Sequence, residues 1–310
     1  MDYKKIRKST ARFLAWIALI ACSLIIKIIP ARCLYGFSRH IAYLGYMLVG
    51  KQRKIALDSL SIAFGKEKSP QEIEQIAKDS FSYMAQSAAE TLSLLKRPQF
   101  AKENVDIEGR QHLENALSKG KGAILVSAHF GNFPILMAHL SITGYKILVI
   151  MRSMRDARTE KFFIKGREKL GLKIIYSQPR NVCVMESIRA LRNNELVFIL
   201  LDQNFGTGGV FVDFFGRKAA TAAGPVVLAR RSGAALLPCF IIRQEGGRHK
   251  IIFEPELKQV ETGSAQETII LNVQRLTDII ESYIRKYPAE WGWIHRRWKS
   301  KMKPELTERK

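Results

Sequence analysis

A histidine at the end of an apolar segment is the first residue whose type and position could do chemistry. The segment Ala123–Ser127 is apolar up to its last residue and is bounded by turn residues, which predicts a strand covered on both faces, and His129 follows it closely. Ligands of open α/β sheets bind at the carboxyl ends of the strands. An imidazole there can take a proton from a hydroxyl near neutral pH, and Gly131 would let a backbone approach a ligand closely. A hydrogen-bonded structural histidine is the alternative.

Asp202 and Gln203 form a second candidate pair, directly after the predicted strand 196–201. Asp202 could orient an imidazole, and its alternative role is to cap a turn or a helix. The glycines that follow match neither G-x-G-x-x-G nor G-x-x-x-x-G-K-[ST], so they predict no phosphate-binding loop. The histidines show no metal-ligand spacing, and the sequence contains no G-x-S-x-G nucleophile elbow. We therefore expect neither a metal nor a bound cofactor.

Three arginines lie where a phosphate could be bound. Arg152 and Arg155 follow the predicted strand 146–150, and Arg217 lies in the Phe-Phe-Gly-Arg segment 214–217. Arginine suits bidentate recognition of phosphate, whereas a solvated surface charge is the alternative for each of them. The segment 291–298 mixes tryptophan with basic residues. It could form a membrane-interface belt, a stacking platform for nucleic acid or a packed carboxyl-terminal cap.

The elements that must position these residues alternate between strand and helix. This alternation predicts an α/β fold, with a mostly parallel or mixed sheet and helices on both faces. Ser69 and Pro70 are typical of a helix start, and Pro98 breaks the chain after that helix. A Gly-rich loop is expected after 201. The predicted strands are 105–107, 123–127, 146–150, 173–176, 196–201, 236–242 and 250–254, and the predicted helices are 73–95, 111–118, 135–140, 159–170, 182–192, 223–231 and 268–286.

The start of the chain predicts a membrane element. Residues 13–29 are apolar apart from Lys27, which could snorkel to the interface, and the preceding residues are basic. A cleaved signal peptide is one alternative, although no good small-residue cleavage site follows, and a buried core helix is the other. Because basic residues also follow the apolar run, we expect a helix embedded in the inner leaflet with the rest of the chain cytoplasmic. The predicted organisation is a membrane-anchoring segment (1–30), a helical membrane-surface region (31–98) and an α/β domain (99–310), the last residues of which are expected to fray.

The composition points to an anionic partner. The 310 residues include 50 Lys and Arg against 28 Asp and Glu, a net charge of +22, and 47% are hydrophobic, which excludes wholesale disorder. Phospholipid, nucleic acid and phosphorylated substrates are the candidate partners. Charge alone suggests nucleic acid, and the sequence has no recognisable nucleic-acid module, so we expect none. Four scattered cysteines exclude a disulfide scaffold and indicate a reducing compartment.

The His-Phe-Gly-Asn-Phe stretch at 129–133 resembles the active-site motif of the lysophospholipid acyltransferase-like superfamily. It is most similar to the bacterial lipid A late acyltransferases, whose pattern H-F-G-N-W-E is an instance of H-x-x-x-x-[D/E]. The resemblance covers nearly the whole chain, because several further segments follow in family-like order and spacing. These are 53–64, Glu90, Arg152, 167–171, Asp202-Gln203, 209–217, 220–225 and 295–299.

The resemblance implies a membrane-bound O-acyltransferase with the layered α/β fold of glycerol-phosphate acyltransferases. The donor would be an acyl thioester, on acyl carrier protein or coenzyme A, and the acceptor a hydroxyl of a lipid A precursor or related anionic membrane lipid. The expected location is the cytoplasmic face of the inner membrane. By position, His129 would be the general base and Asp202 would support it. The implied substrate-binding residues are Asn132, Arg152, Gln203 and Arg217.

One residue departs from the family pattern. Pro134 stands where the motif has its acid, and proline can neither accept a proton nor orient an imidazole. Another carboxylate could replace the acid, with Asp202 as the first candidate and Glu160 as the second. The enzyme could instead use a different acceptor or donor, or the chain could be a catalytically silent lipid-binding protein.

Overall fold

The computed structural model describes residues 3–29, 31–95 and 97–302 and shows a seven-stranded mixed sheet between two layers of helices. The strand order is β1-β9-β8-β2-β5-β3-β4. All neighbouring strands in this sheet run parallel except β8 and β9. The strands of this sheet are β1 (Val105–Glu108), β2 (Ala123–Ser127), β3 (Ile147–Met151), β4 (Lys173–Tyr176), β5 (Leu196–Leu200), β8 (Ala235–Arg243) and β9 (His249–Phe253).

Helices cover both faces of this sheet, and further helices precede it in the chain. One face carries α6 and α7, and the other carries α9, α10 and α11, with a separate apolar core on each side. The helices are α1 (Tyr3–Ile28), α2 (Ala31–Leu48), α3 (Gly50–Phe64), α4 (Pro70–Leu94), α5 (Phe100–Glu103), α6 (Arg110–Leu117), α7 (Phe133–Ile142), α8 (Ala157–Lys169), α9 (Arg180–Arg192), α10 (Gly224–Ser232) and α11 (Ala265–Lys286). The predicted fold class and each predicted strand and helix of the body are confirmed within a few residues.

Local signals explain where the site-forming elements begin. The Ser69 hydroxyl accepts the amide of Glu72, while the Glu72 carboxylate accepts the amide of Ser69, so α4 begins with a capping box and Pro70 at its first position. The carboxylate of Asp156 accepts the amides of Arg158 and Thr159 and caps α8. β2 is buried along its whole length, as its unbroken apolar pattern predicts.

The helices before the sheet pack onto the body. Leu60 and Phe64 of α3 and Ala77 of α4 belong to the same apolar core as one face of the sheet. The Ser80 hydroxyl of α4 donates to the carbonyl of Trp291, far along the chain. The predicted membrane-surface location of region 31–98 stays a prediction, and the tail beyond 302 lies outside the described residues.

A two-stranded antiparallel hairpin follows the Gly-rich loop that the sequence predicts. β6 (Val210–Phe214) pairs with β7 (Arg217–Thr221) through a turn in which Phe215 has a φ of 53° and Gly216 a φ of 67°. Such turns usually carry Asn-Gly or Asp-Gly, and that signal is missing here. Phe215 is held in this conformation because its amide donates to the Glu281 carboxylate at 2.6 Å and its ring packs on Phe64. The Gly-rich stretch 206–209 lies before the hairpin, and sequence reasoning missed the hairpin itself because it depends on tertiary contacts.

The first helix is the one described helix that is long and apolar enough to cross a membrane. The window Ser9–Ile26 has a mean hydropathy of 1.9, and none of it is buried inside the protein. α1 touches α4, and the Arg158 guanidinium of α8 lies over the rings of Phe13 and Trp16. The helix therefore presents most of its apolar surface outward while keeping contact with the body.

Candidate active site

Three neighbouring parallel strands end at the same edge of the sheet and place the predicted site residues there. β2 lies beside β5, with Ser127 paired to Leu200, and β3 lies on the other side of β5. His129, Asp202 and Arg152 each follow the end of one of these strands within two residues. The sheet thus brings residues that are far apart in sequence to one edge, as expected for the carboxyl ends of parallel strands.

The imidazole of His129 is directly bonded to the carboxylate of Asp202. Its Nδ1 lies 2.8 Å from Asp202 Oδ1. The indole Nε1–H of Trp291 donates to the other oxygen, Oδ2, at 2.7 Å. The Asp202 side chain is fully buried, whereas the His129 side chain is 25% exposed. The geometry therefore has one ring nitrogen of His129 fixed by a buried carboxylate and the other directed toward accessible space.

Asp202 is held in its charged form. Burial alone would raise the pKa of this carboxyl, but the charge and hydrogen bond of His129 and the indole of Trp291 together hold the pKa well below its usual range. A carboxylate that is ionised in this way can only accept hydrogen bonds. It therefore fixes the proton of His129 on Nδ1 and leaves Nε2 as the basic nitrogen of the neutral ring.

Gln203 and His295 lie on the accessible side of His129. The Gln203 side-chain nitrogen lies 3.0 Å from His129 Nε2. The ring centroid of His295 lies 5.0 Å from that of His129. Burial, together with the nearby His129, lowers the pKa of His295. His295 is therefore a neutral polar group of the site at physiological pH.

Arg297 braces the chain at this point. Its buried guanidinium donates to the carbonyl oxygens of Gln203 at 3.1 Å and Ala220 at 2.8 Å, and to the hydroxyl of Thr221 at 2.5 Å. The backbone after β5 is thereby tied to the hairpin strand β7. The position of Gln203 is consequently fixed at its backbone, while its side chain is exposed.

An apolar cavity of about 270 Å³ opens beside His129. Its walls come from α1, α4, α8, the segment 290–295, and the segment 129–134, which ends in the first turn of α7. Tyr83 and Glu290 are polar members of the wall. The apolar side chains include Leu19, Met84, Leu92, Phe133 and Phe163. A cavity of this composition can hold a hydrocarbon chain next to the imidazole.

The glycine of the motif serves the protein's own packing. Gly131 has a φ of +58°, and a Cβ at this position would lie 1.8 Å from the carbonyl oxygen of Ile241 in β8. The amide of Gly131 donates to the carbonyl of Glu290 at 2.9 Å. The close backbone approach at Gly131 is therefore to the neighbouring strand β8. The structure requires a glycine here for this contact, whereas the prediction was an approach to a ligand.

Asn132 is part of a buried polar network centred on Glu90. Its amide nitrogen donates to the Glu90 carboxylate at 2.8 Å and to the carbonyl of Ser87 at 3.2 Å, and its oxygen accepts the hydroxyl of Thr91 at 3.3 Å. Arg243 donates to both oxygens of Glu90, at 2.5 and 2.8 Å. These contacts anchor the start of α7 to α4, so they favour a positioning role for Asn132 over the predicted substrate contact.

The pKa values of the two buried carboxyl groups near Arg243 are shifted in opposite directions. Burial would raise the pKa of Glu90, but His249 and Arg243 lower it to about 2. Burial raises the pKa of Glu290 to about 7, with Glu90 adding to the rise and the hydroxyl of Tyr83 and the Arg243 amide opposing it. Arg243 thus sits beside one permanently charged carboxylate and one that changes its charge near neutral pH.

Of the two carboxylates considered as replacements for an acid at 134, Asp202 is the one bonded to His129. Pro134 lies in the first turn of α7 and lines the cavity. Glu160, the other replacement considered, accepts the amide of Met154 at 3.3 Å, and the carboxylate bonded to the His129 ring is that of Asp202.

Two of the three arginines considered for phosphate binding, Arg152 and Arg217, lie at different places. Arg152 is exposed and lies at the same sheet edge as His129. Arg217 is exposed at the start of β7, three residues or roughly 10 Å along the strand from Ala220. The structure therefore brings Arg152 toward the site and leaves Arg217 on the hairpin, and substrate binding by either stays a prediction.

The tryptophan-rich segment is the packed cap among the three alternatives that the sequence left open. Trp291 and Trp293 are fully buried and Trp298 nearly so. Sequence reasoning did not assign Trp291 or His295 to the site, because their partners are 89 or more residues away in the chain. The alternation of tryptophan with histidine and arginine was the available signal.

Comparison with known proteins identifies the class that this fold and site define. The family model "Bacterial lipid A biosynthesis acyltransferase" matches residues 1–300, so the chain belongs to this family and is an acyltransferase. The lipid A biosynthesis palmitoleoyltransferase of Escherichia coli is 25% identical over 286 residues, 88% of this chain and 86% of that protein. The E. coli lipid A biosynthesis lauroyltransferase is 23% identical over 93% of this chain and 92% of its own.

A relative of a second kind is also similar. The phosphatidylinositol mannoside acyltransferase of Mycolicibacterium smegmatis is 29% identical over 67% of this chain and 66% of its own length. Among solved structures, the 1-acyl-sn-glycerophosphate acyltransferase PlsC of Thermotoga maritima aligns with a TM-score of 0.39 and 14% identity, covering 87% of this chain and 97% of that one.

Proposed function

We propose that this acyltransferase transfers a fatty acyl chain from an acyl thioester to a hydroxyl of an anionic glycolipid, such as a lipid A precursor. The observation that carries the proposal is the oriented His129–Asp202 pair, 2.8 Å apart, at the wall of an apolar cavity. Acyl carrier protein is the proposed donor carrier, with coenzyme A as the alternative. Relatives named for lipid A biosynthesis support the acceptor class.

The proposed reaction is direct acyl transfer with His129 as general base. His129 Nε2 takes the proton of the acceptor hydroxyl while the hydroxyl oxygen forms a bond to the thioester carbonyl carbon, and the carbonyl electron pair moves to its oxygen. The tetrahedral intermediate then collapses, the C–S bond breaks, and the thiolate receives the proton from His129. Asp202 stays ionised throughout and stabilises the imidazolium that forms between these steps.

The cavity supports a hydrophobic substrate next to the base. Side chains of α4 and α8 form an apolar wall, and Leu19 places α1 at the same cavity. An acyl chain in this space would hold its thioester carbon near His129, which converts a bimolecular encounter into an oriented one.

The amino-terminal helices support attachment to a membrane. α1 exposes Phe13, Leu14, Ile17 and Leu24, and α2 exposes Leu44 and Met47. An exposed apolar surface of this kind is typical of a membrane contact, and the net charge of +22 favours anionic headgroups. We place the protein at the cytoplasmic face of the inner membrane, with α1 in the lipid.

Mass spectrometry of lipids from cells that lack this protein tests the proposal. Both the lipid A and the total phospholipid and glycolipid fractions are measured, because the two kinds of relative differ in the acceptor named. The strain is complemented with the wild type, with His129→Ala, or with His112→Ala as a matched control on α6, outside the site.

We expect a mass loss of one acyl chain in one lipid class, restored by the wild type and by His112→Ala but not by His129→Ala. The lipid affected identifies the acceptor. An unchanged profile in every fraction, together with no transfer by purified protein from acylated carrier protein or acyl-coenzyme A, would contradict the proposed function.

A further inference from the structure

The position of one proton in the site is set by its neighbours. Asp202 is ionised and buried, and it accepts one hydrogen bond from the Trp291 indole and one from His129. The proton of the neutral imidazole must therefore lie on Nδ1, since a carboxylate cannot donate. Nε2 is left with its lone pair and can only accept.

In the substrate-free protein the lone pair of His129 Nε2 already accepts a hydrogen bond. The side-chain amide nitrogen of Gln203 lies 3.0 Å from His129 Nε2. Because Nε2 can only accept, Gln203 must present an N–H to it. A hydroxyl that is to give its proton to Nε2 must first take the place of this amide.

Gln203 is built to move at its side chain and to stay fixed at its backbone. The side chain is exposed, whereas the carbonyl is held by the buried guanidinium of Arg297 at 3.1 Å. The amide nitrogen also lies 3.4 and 3.5 Å from the two ring nitrogens of His295, at the long limit of hydrogen bonding. A displaced amide therefore remains within reach of the reacting atoms.

We propose that Gln203 caps the lone pair of His129 in the free enzyme and, once the acceptor hydroxyl displaces it, donates the same N–H to the oxygen of the thioester carbonyl. The proposal rests on the proposed function and deepens it by naming the group that stabilises the oxyanion. The attacking oxygen must lie within about 3–3.5 Å of the carbonyl carbon. The oxyanion then develops close to the Gln203 amide, which in the free enzyme lies 3.0 Å from Nε2.

The electron balance of the step is that of direct acyl transfer. The hydroxyl proton goes to Nε2, the O–C bond forms, and the carbonyl pair becomes the negative charge that the Gln203 N–H stabilises. When the C–S bond breaks, that charge returns to the C=O bond and the proton on Nε2 goes to the sulfur. Gln203 gains and loses no proton.

The first arm of the test measures how accessible the His129 lone pair is without substrate. Diethyl pyrocarbonate, which attacks an unprotonated imidazole nitrogen, is applied to the full-length protein, and the His129 peptide is quantified by mass spectrometry. Gln203→Met keeps the length of the side chain but removes the N–H. We expect His129 to be modified about 2- to 10-fold faster in this variant, the factor expected from losing one neutral hydrogen bond.

The second arm measures turnover with the same variant. Loss of the oxyanion donor should lower kcat by about tenfold or more, toward the 10²–10³ found for buried donors, while KM for the acyl donor changes little. Gln203→Glu is the second variant. Its carboxylate has no N–H to donate to the oxyanion, so kcat should fall at least as far as in Gln203→Met.

The matched control is Gln75→Met, an exposed glutamine on α4 whose amide donates to Asp79, and thermal unfolding verifies folding of every variant. Faster modification together with lower kcat supports the proposal. Unchanged modification, or faster modification with unchanged kcat, overturns it. The modification arm needs no substrate, so it separates this proposal from the proposed function, which fails only if the wild type transfers no acyl chain.

Discussion

Replacing Asp202 by asparagine tests the physical basis of the candidate site most directly. The substitution keeps the shape of the side chain but removes its charge and one of its two acceptors. At present Oδ1 accepts from His129 Nδ1 at 2.8 Å and Oδ2 accepts from Trp291 Nε1 at 2.7 Å. An amide has one oxygen for these two donors, so one of the two bonds must be lost.

Both orientations of the new amide impair the base. If its oxygen stays on the indole, its NH₂ faces Nδ1 and moves the imidazole proton to Nε2, which is the nitrogen that should act as base. If its oxygen faces His129, two N–H donors meet in a fully buried place beside Trp291. We expect the first orientation and a loss of about 10³ in kcat, equivalent to about 4 kcal/mol of transition-state stabilisation.

A double-mutant cycle makes this reasoning falsifiable. Trp291→Phe removes the indole donor and should lower kcat by only about tenfold, because Asp202 still accepts a hydrogen bond from His129. Asp202→Asn combined with Trp291→Phe should recover about tenfold over Asp202→Asn, since the amide can then turn its oxygen to Nδ1. The assay is single-turnover transfer of a labelled acyl chain to extracted lipid. The reasoning is refuted if Asp202→Asn stays within tenfold of the wild type, or if the two losses simply multiply.

Three further substitutions test the packing around the site by thermal unfolding. Gly131→Ala should lower the free energy of unfolding by about 4 kcal/mol or more, because its Cβ would meet a β8 carbonyl at 1.8 Å. The control is Gly120→Ala, at a φ of +69° with open space around it, which should lower it by about 1–2 kcal/mol. Equal losses for the two variants would contradict this. Glu90→Gln should lower the free energy of unfolding by about 3–5 kcal/mol, because it removes the buried charged group that accepts two hydrogen bonds from the Arg243 guanidinium. An unchanged melting temperature would refute a net role for the pair. The pKa of Glu290 is raised from 4.5 to about 7, so its contribution to stability is lost as pH rises through that window. Glu290→Gln should therefore gain stability relative to the wild type between pH 5 and pH 8, and a pH-independent difference would exclude the shift.

Much of the fold follows from local signals in the sequence. The capping box at Ser69 sets the start of α4, and the unbroken apolar run before His129 sets a strand buried on both faces. Strand-end placement then predicts that His129 and Asp202 lie at one edge of a sheet. Their direct bond depends on β2 and β5 being neighbours, which alternation of elements does not determine and which the strand order shows.

The parts that sequence reasoning missed depend on contacts between distant segments. The β6–β7 hairpin turns at Phe215, whose positive φ is stabilised by Glu281 on α11 rather than by a residue suited to the turn. Trp291 reaches Asp202 across 89 residues of chain. A tryptophan that donates to a buried carboxylate and one that simply fills a core look the same in sequence, because the indole is buried among apolar residues in both cases.

The adjacency of Asp202 and Gln203 has a physical consequence for the base. Consecutive residues at the end of a strand direct their side chains to different sides, so the carboxylate goes into the core and the amide to the exposed side. The two nitrogens of an imidazole also lie on different edges of the ring, and the pair therefore contacts both, Asp202 at Nδ1 and Gln203 at Nε2. An acid at position 134 would have approached from α7 and the cavity wall. A carboxylate just after β5 instead leaves that wall apolar at Pro134, and it places the side chain bonded to Nδ1 and the side chain 3.0 Å from Nε2 on one braced segment.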